Sequence, residues 1–448
     1  MIEYFSSLCR YLNGKVSCDE DWSAWLEGER TDYSFISRGL LRQSGQVDKT
    51  TLKITLHKGL KRASGTVTLS MIPCDDRHRL SLMMCSLRDN VSTVSDDPYY
   101  TWCTNPNPTT PCSTLCNGNR AGYCGRKAVM EILDTSIGTG FAGTFMVGWV
   151  YRAFGSSRGH HHWFANNSFC LDFLVYQHGG RAVHDQISGR KWDAECFRQR
   201  LESVKERVSL LGQSTKNVPR GDYRVYLSPA AINALLVRAD FSARRYYEKD
   251  SWLTLLFEGK RALSQQFSLD LVTADGYVPG FQQHGYVRPD CLNLIKEGIG
   301  QSLIIGPRTA EKYQILFTGG EDKAVFDRFD PPDHLVMMPG SLEEQDICSR
   351  IGDGLYISDL WYVNWSDKHS GRMTGMTRYT CFKVKNGKLA HPIGAIRFDD
   401  SLYNLFGEHL EALTRHRDTI VDSFAFCRRG TGSHILPGAL IGNMHVSA

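Results

Sequence analysis

The sequence lacks the features of secreted, membrane-spanning and nucleic-acid-binding proteins. Its 52 lysines and arginines nearly balance 48 acidic residues, so the net charge of +4 is small for 448 residues. That balance argues against a broad phosphate-contacting surface. The N-terminus has no basic segment followed by an apolar core, and no run approaches the roughly 20 apolar residues that span a bilayer. We therefore expect a cytoplasmic protein without a nucleic-acid or membrane partner.

The sequence also lacks two common motifs of catalytic and nucleotide-binding sites. No H-E-x-x-H zinc motif occurs. The glycine-rich segment "CRRGTGSHILPG", residues 427–438, contains no G-K-[ST] and does not join a buried strand to a helix, so it does not predict a phosphate loop. Without these motifs, the sequence indicates a globular protein but does not identify its activity.

Cysteine is plentiful, with 14 residues in the chain. In a cytosolic protein we expect reduced thiols, most of them small buried hydrophobes. Cys103, Cys112, Cys116 and Cys124 lie close together in sequence, but the paired C-x2-C spacing of zinc sites is missing. Pro, Asn, Thr and Gly between them favour an ordinary loop. A structural metal at these four thiols stays open as the alternative.

Three consecutive histidines, His160 to His162, form a second candidate cluster. In a strand, His160 and His162 share one face with their positions roughly 7 Å apart. Two imidazoles could ligate a metal, but no nearby carboxylate or cysteine completes a set. The pattern therefore favours exposed polar positions at the start of a strand.

The first half of the chain mixes strand and helix signals. The segment 51–71 alternates apolar residues on both sides of "HKG", which predicts a hairpin with one buried face. Residues 125–137 read as a helix, and 160–183 as a pair of strands or one strand interrupted by glycines. The clearest helix is "DAECFRQRLESVKERVSLLGQ", 193–213, in which apolar residues recur at steps of three and four. Gly212 is well placed to end it.

The second half is rich in short strand-like runs separated by Gly, Pro, Asn and Asp. Asn386-Gly387 predicts a tight hairpin turn. We expect an α+β protein of two domains: a mixed α/β domain at 1–212, a linker at 213–222, and a β-rich domain at 223–448 with a strongly curved or barrel-like sheet. The predicted strand runs lie at 223–229, 301–307, 312–320, 334–341, 353–365, 378–394 and 394–398.

Several segments in this half resemble one family. "DGLYISDLWYVNWSDKHSGRMTGMTRYTCFKVKNGKLAHPIGAIRFDDSLYNLF", residues 353–406, is similar to the C-terminal signature of the TldD/PmbA family, whose members are subunits of a bacterial and archaeal metalloprotease. "GYVRPDCLNLIKEGIGQSLIIGPRTAEKY" (285–313) and "VYLSPAAINALL" (225–236) resemble family segments upstream of it. The resemblance is strong from about residue 220 to 448, and thinner but collinear before that.

The resemblance implies that this chain lacks the family's catalytic motif. In TldD, the catalytic subunit, an H-E-x-x-x-H helix binds zinc through two histidines while the glutamate activates water. The corresponding positions here hold Val237, Arg238 and Ser242, which cannot do this chemistry. Cys427 is the one plausible match to a family ligand, a cysteine near the C-terminus, although a packed strand position is favoured. The chain is similar to TldE (PmbA), the subunit type without the motif.

The family also implies a partner and a substrate. We expect a heterodimer with a TldD-like H-E-x-x-x-H subunit that carries the zinc, no cofactor in this chain, and peptide substrates such as leader segments of modified peptide precursors. An extended peptide would add as a strand to an exposed sheet edge. Substrate binding is assigned to the T-G-M-T-R turn, at Gly375, Met376, Thr377 and Arg378.

Two alternatives stay open. One is a metallopeptidase with a relocated site built from His160, His162, His284 and Cys427. The other is a stand-alone peptide-binding protein. Departures from the commoner TldE pattern, at 244–247 and 379–381, leave the substrate open.

Overall fold

The computed structural model describes residues 1–105, 113–116, 121–177, 180–321, 332–421 and 429–447. Within these ranges, no helix combines the length and apolar character needed to cross a membrane. Strands dominate the architecture, and the helices pack against two large sheets.

The first sheet is formed by the first half of the chain. Its described strands have the order β3-β2-β1-β5-β6-β4, and β7 also pairs with β6. Pairing is antiparallel except between β4 and β6. The elements are α1 (Ile2–Asn13), β1 (Asp21–Ser37), β2 (Leu40–Lys58), β3 (Lys61–Thr68), α2 (Pro73–Thr93), β4 (Ser113–Cys116), α3 (Ala121–Ser136), β5 (Phe141–Ser156), β6 (His161–Tyr176), β7 (Ala182–Gly189) and α4 (Ala194–Ser209), followed by a 3-10 turn at Leu210–Gly212.

The predictions based on periodicity are confirmed in this half. The β2–β3 hairpin turns between Lys58 and Lys61, and alternate side chains of β2 from Leu52 to Leu56 are fully buried. Helix α4 buries the predicted apolar stripe. Its first turn is capped by the Asp193 carboxylate, which accepts hydrogen bonds from the backbone of Glu195 and Cys196, as N-terminal caps do.

The second sheet is formed by strands from residue 221 onward. Its described path runs β11-β10-β9-β12-β20-β8-β13-β16-β17, with β19 and the branch β18-β15-β14 attached to β20. The elements are β8 (Gly221–Leu227), α5 (Pro229–Leu236), α6 (Ala243–Tyr247), α7 (Leu253–Phe257), β9 (Leu269–Val272), β10 (Cys291–Lys296), β11 (Ile299–Gly300), α8 (Pro307–Tyr313), β12 (His334–Met337), α9 (Ile347–Ile351), β13 (Gly354–Ile357), β14 (Leu360–Asp367), β15 (Arg372–Thr377), β16 (Cys381–Lys385), β17 (Lys388–Ile393), β18 (Arg397–Ser401), β19 (Leu410–Val421) and β20 (Ser433–Val446).

Two of the predicted strand runs in this half are wrong. Residues 301–307 contribute only an isolated bridge between Ile304 and Ser242, and much of 312–320 follows helix α8 without forming a strand. Pro307 begins helix α8, which separates the two runs and takes the first two residues of the second, because a proline at the first helical position suits a helix and cannot donate to a sheet. The predicted Asn386-Gly387 turn is confirmed, since both residues have positive φ, 50° and 72°.

The predicted barrel-like sheet is not supported. The described path of the second sheet is open, with β11 at one end and β17 at the other. The long strand β20 is instead a branch point that pairs with β8, β12, β18 and β19. The structure supports a mixed α/β fold with two large sheets. The domain limits at 212 and 223 stay a prediction.

Candidate functional site

The segment that corresponds to the family's zinc helix is interrupted. Helix α5 begins at Pro229 and ends at Leu236, and Val237 is the residue that caps its C-terminus. Ser242 instead starts α6, where its hydroxyl accepts a hydrogen bond from the backbone of Arg245. The three positions therefore do not lie on one continuous helix, because Ser242 acts as the N-terminal cap of the next helix.

The histidine candidates are buried rather than exposed. His160 and His162 are only 5% and 4% accessible, and their ring centroids lie 5.9 Å apart, both against Phe154. The prediction of exposed positions at the strand start is therefore wrong. Phe154 of β5 contacts both rings, and Phe281 of the second half covers His162. Burial lowers the pKa of His162 to about 4 and that of His284 to about 3, so these rings are neutral at pH 7.

No metal centre is found among the described residues. They contain no group of three or more His, Cys, Asp or Glu side chains arranged to hold a metal ion. The Cys103 thiol donates to the carbonyl of Asn105. Cys112 and Cys427, and the thiols of Cys116 and Cys124, lie outside the described residues.

The most distinctive surface is the edge strand β14. It pairs with β15 on one side and with no other described strand. Its residues Trp361 and Tyr362 are 46% and 68% exposed, and Met376 opposite Trp361 on β15 is 40% exposed. Helix α5 packs against this strand. An exposed aromatic sheet edge is unusual, because soluble proteins normally protect edges with charge or cover.

Five planar groups stack in a continuous column from this edge into the protein, which we call the stacked column. The rings of Tyr362 and Trp361 lie 4.4 Å apart and nearly parallel, at 9°. The Arg378 guanidinium is 4.3 Å from the centre of the Trp361 ring and 4.6 Å from that of Tyr379. Tyr379 stacks on His184 at 4.6 Å. Cation–π and aromatic contacts of this kind each stabilise by about 0.5–2 kcal/mol.

His184 is the buried end of the stacked column. Its Nδ1 lies 3.0 Å from an oxygen of Asp359 and its Nε2 lies 3.2 Å from an oxygen of Asp172. Although burial opposes the charge, the two carboxylates raise the pKa of His184 to about 10. The ring is therefore an imidazolium that donates to both. Since His184 belongs to β7 and Asp359 precedes β14, the ion pair joins the two halves directly beneath the exposed edge.

Two residues of the stacked column have an unusual backbone. Tyr362 and Tyr379 have positive φ, 51° and 57°. The left-handed region is costly for a bulky side chain, and such residues persist where the surroundings hold them and often lie at functional sites. At Tyr362 the conformation coincides with a register shift between Trp361 and Asn364.

Of the four predicted substrate-binding residues, two reach the surface and two are buried. Met376 and Arg378 reach the surface. Thr377 is buried, and its hydroxyl accepts from the backbone of Ile396. Gly375 is buried where an added Cβ would lie 2.7 Å from the Phe398 ring, so it serves close packing. Sequence reasoning missed Trp361, Tyr362, Tyr379 and His184 as site residues; the W-Y pair in the quoted signature was the available signal.

A cavity of about 720 Å³ lies behind the stacked column, where the two halves meet. Residues of α4 and β7 line one side, and residues of β13 and β19 line the other. Arg200 donates to Asp185 and Asp418 at 2.9 Å each, and Arg207 donates to Asp185 at 3.0 Å. The Arg200–Asp418 pair crosses between the halves, and the two pairs with Asp185 join α4 to the strand that carries His184.

A family comparison identifies the second half of the chain. Residues 220–448, more than half of the sequence, match the model of the PmbA/TldA metallopeptidase C-terminal domain. No curated protein matches the chain.

Three solved structures share the fold over nearly their whole length. TldE from Thermococcus kodakarensis superposes with a TM-score of 0.77 at 13% identity, covering 99% of this chain and 100% of that one. A protein described as a modulator of a DNA gyrase from Thermotoga maritima gives 0.73 at 15% identity, with 100% of both chains covered. A protein described in the same way from Bacteroides thetaiotaomicron gives 0.72 at 15% identity, covering 100% and 98%.

At these identities the structural likeness shows the fold alone, whereas the family model matches the sequence itself. The residues matched by the family model contain the signature at 353–406, which includes the exposed edge strand and the turn that follows β15. The chain belongs to the TldD/PmbA metallopeptidase family.

Proposed function

We propose that the chain is a non-catalytic, TldE-like subunit of a two-chain zinc metallopeptidase that trims unfolded or short peptides, such as leader segments of modified peptide precursors. The observation that carries this proposal is the position of α5. This helix ends before the positions that hold the zinc motif in a catalytic subunit, yet it still packs against strand β14.

The residues at the motif positions favour the absence of catalysis in this chain. Arg238 is exposed and permanently cationic, so it would repel a metal ion. Val237 offers no lone pair, and the Ser242 hydroxyl already caps α6. The zinc and the water-activating glutamate are therefore assigned to a TldD-like partner in a cytoplasmic heterodimer.

The retained edge strand supports a role in holding peptides. Peptide recognition by strand addition needs an unpaired edge with side chains that can anchor the incoming chain. The described structure supplies such an edge at β14, and Trp361 and Tyr362 stand on it. A chain that has lost the catalytic residues but kept this edge would shape the substrate chamber of its partner.

The test is metal content and peptidase activity of the purified chain, with and without a co-expressed H-E-x-x-x-H subunit. We expect about one zinc per heterodimer and chelator-sensitive hydrolysis only when both chains are present. A glutamate-to-glutamine variant of the partner's motif is the matched control, and it should abolish hydrolysis without dissociating the complex. Stoichiometric zinc and hydrolysis by this chain alone would contradict the proposal.

The second candidate is a stand-alone peptide-binding protein, and the exposed edge of β14 favours it equally. Copurification separates the two, because this candidate predicts no stable complex with an H-E-x-x-x-H chain. A relocated metal site is less supported, since the described histidines are buried among aromatic rings.

A further inference from the structure

We propose that the free edge of β14 binds an extended acidic peptide segment with an aromatic side chain, and that Trp361, Tyr362, Arg378 and Arg397 select it. This inference rests on the proposed function and specifies its peptide substrate. The residues lie on adjoining strands: Trp361 of β14 pairs with Met376 of β15, and Met376 pairs with Arg397 of β18.

The aromatic preference follows from the exposed end of the stacked column. Trp361 and Tyr362 stack on each other, and the Tyr362 side chain is 68% exposed. An aromatic side chain of a peptide placed beside β14 would extend the stack by one ring and bury apolar area. Offset-stacked ring pairs contribute about 0.5–1.5 kcal/mol beyond area burial, which corresponds to a preference of about two- to tenfold over an aliphatic residue.

The acidic preference follows from two cations beside the aromatic pair. Arg378 and Arg397 are both exposed, and neither forms an ion pair with a residue that the structure describes. Arg372 on the same strand pair is, in contrast, neutralised by Asp399. The edge therefore presents two exposed cations without a directly paired carboxylate, near Met376, a pattern complementary to carboxylates on an incoming strand.

The site is held ready before any peptide arrives. Arg378 lies between Trp361 and Tyr379, and its backbone N–H donates to the carbonyl of Asp359. Asp359 also holds His184, which supports Tyr379 from below. Because these groups are already ordered, peptide binding costs less conformational entropy than it would on a mobile surface.

Labelled heptapeptides that differ in one property each test the proposal on the purified full chain. The reference is Thr-Glu-Thr-Phe-Thr-Glu-Thr, whose Glu and Phe side chains share one strand face because side chains alternate. The comparison peptides carry Lys in place of Glu, Leu in place of Phe, or the same composition as Thr-Thr-Glu-Phe-Glu-Thr-Thr, which moves the carboxylates to the opposite face from the ring. Fluorescence anisotropy gives each Kd.

We expect the reference peptide to bind tightest, with about tenfold weaker binding for the Lys and reordered peptides and about fivefold weaker binding for the Leu peptide.

The double variant R378Q/R397Q should bind the reference peptide about tenfold more weakly and lose the preference for Glu over Lys. Tyr362→Asn should lose about fivefold and the preference for Phe, while Asn still tolerates the left-handed backbone. Arg350→Gln and Phe35→Leu, at exposed positions elsewhere, are matched controls that should change nothing.

Equal binding of the Glu and Lys peptides, or unchanged selectivity in variants with unaltered thermal midpoints, would overturn the proposal. The proposal is also overturned if the variants dissociate an H-E-x-x-x-H partner but leave peptide selectivity unchanged, because the edge would then be a contact between subunits. If the two-chain enzyme is active and neither variant changes its KM, this inference is wrong and the proposed function is unaffected. Selective binding beside an inactive two-chain complex would support this site and contradict the proposed function.

Discussion

Arg429, close to the C-terminus, donates to the hydroxyl of Ser168 at 2.7 Å in the middle of the first sheet. Arg429 is 1% exposed, and its guanidinium also donates to the carbonyls of Ser168 and Gly148. The backbone N–H of Arg429 donates to the buried carboxylate of Glu29 at 3.0 Å. One residue of the second half is thus held inside the first sheet, two positions after Cys427.

Replacing Arg429 with Met should destabilise the protein strongly. The change removes the donors to Ser168 and leaves the Glu29 carboxylate buried without a nearby cation, and loss of one partner from such buried networks costs about 3–5 kcal/mol. Urea unfolding measures the difference in free energy. The control is Arg415→Met, at an exposed ion pair with Glu343, which should cost less than about 1 kcal/mol. Equal effects of both changes would refute the role given to Arg429.

The His184 ion pair makes stability depend on alkaline pH. Because the folded pKa, about 10, lies above the ordinary value near 6.5, the stabilisation is complete below pH 6.5 and is lost as pH rises through 10. His184→Phe keeps a ring against Tyr379 but leaves Asp172 and Asp359 without the imidazolium. At pH 6 it should cost about 3 kcal/mol.

The measurement is the free energy of unfolding of both proteins between pH 6 and pH 10.5. The gap between wild type and His184→Phe should narrow steadily as the wild-type imidazole loses its proton. Subtracting the two curves removes the titration of lysines and tyrosines elsewhere. A gap that stays constant over this range would show that His184 is not charged in the folded protein.

The opposite behaviour is expected for the buried neutral histidines. Burial lowers the pKa of His57 to about 4, that of His162 to about 4 and that of His284 to about 3. Their stabilisation is present above pH 6.5 and is lost as pH falls from 6.5 toward 4, since the unfolded chain binds protons that the folded chain excludes. Each contributes a slope of up to about 1.4 kcal/mol per pH unit.

His57→Phe tests this effect with little change in shape. The Phe ring can replace the stack of His57 on Trp102, although Ser23 loses its hydrogen-bond partner. The variant should be less stable at pH 7, but its stability should fall less steeply between pH 6 and pH 4.5, by about 1.4 kcal/mol per pH unit. His78→Phe, on the surface of α2, should leave the slope unchanged. If the slope is the same in His57→Phe, the buried ring already carries a proton.

Local signals in the sequence predicted the elements that depend on local physics. The apolar stripe of α4 and the Asn386-Gly387 turn could be read directly, because helix period and turn conformation are properties of neighbouring residues. The burial of His162 could not be read in this way. Whether a polar strand residue is exposed depends on what covers it, and here a segment more than 100 residues away does so through Phe281.

The candidate site shows the same division. The signature containing Trp361, Tyr362 and Arg378 could be quoted from the sequence, yet the stacked column depends on His184 from the other half of the chain. Neither the positive φ of Tyr362 nor its exposure has a local signal. The family resemblance placed the substrate in the T-G-M-T-R turn, and the structure shows which of its side chains point outward.

Restoring the family's motif residues should not restore a zinc site. In the triple variant V237H/R238E/S242H the two histidines would belong to different elements, because α5 ends at Leu236 and position 242 starts α6. Zinc bonds to imidazole nitrogens are about 2.0–2.1 Å long and leave little tolerance for displaced ligands. We therefore expect well under one zinc per chain after dialysis, measured by atomic absorption, and no chelator-sensitive hydrolysis. Stoichiometric zinc in a folded triple variant would mean that α5 can continue past Leu236, and that the ligands alone, rather than the interrupted helix, account for the missing metal.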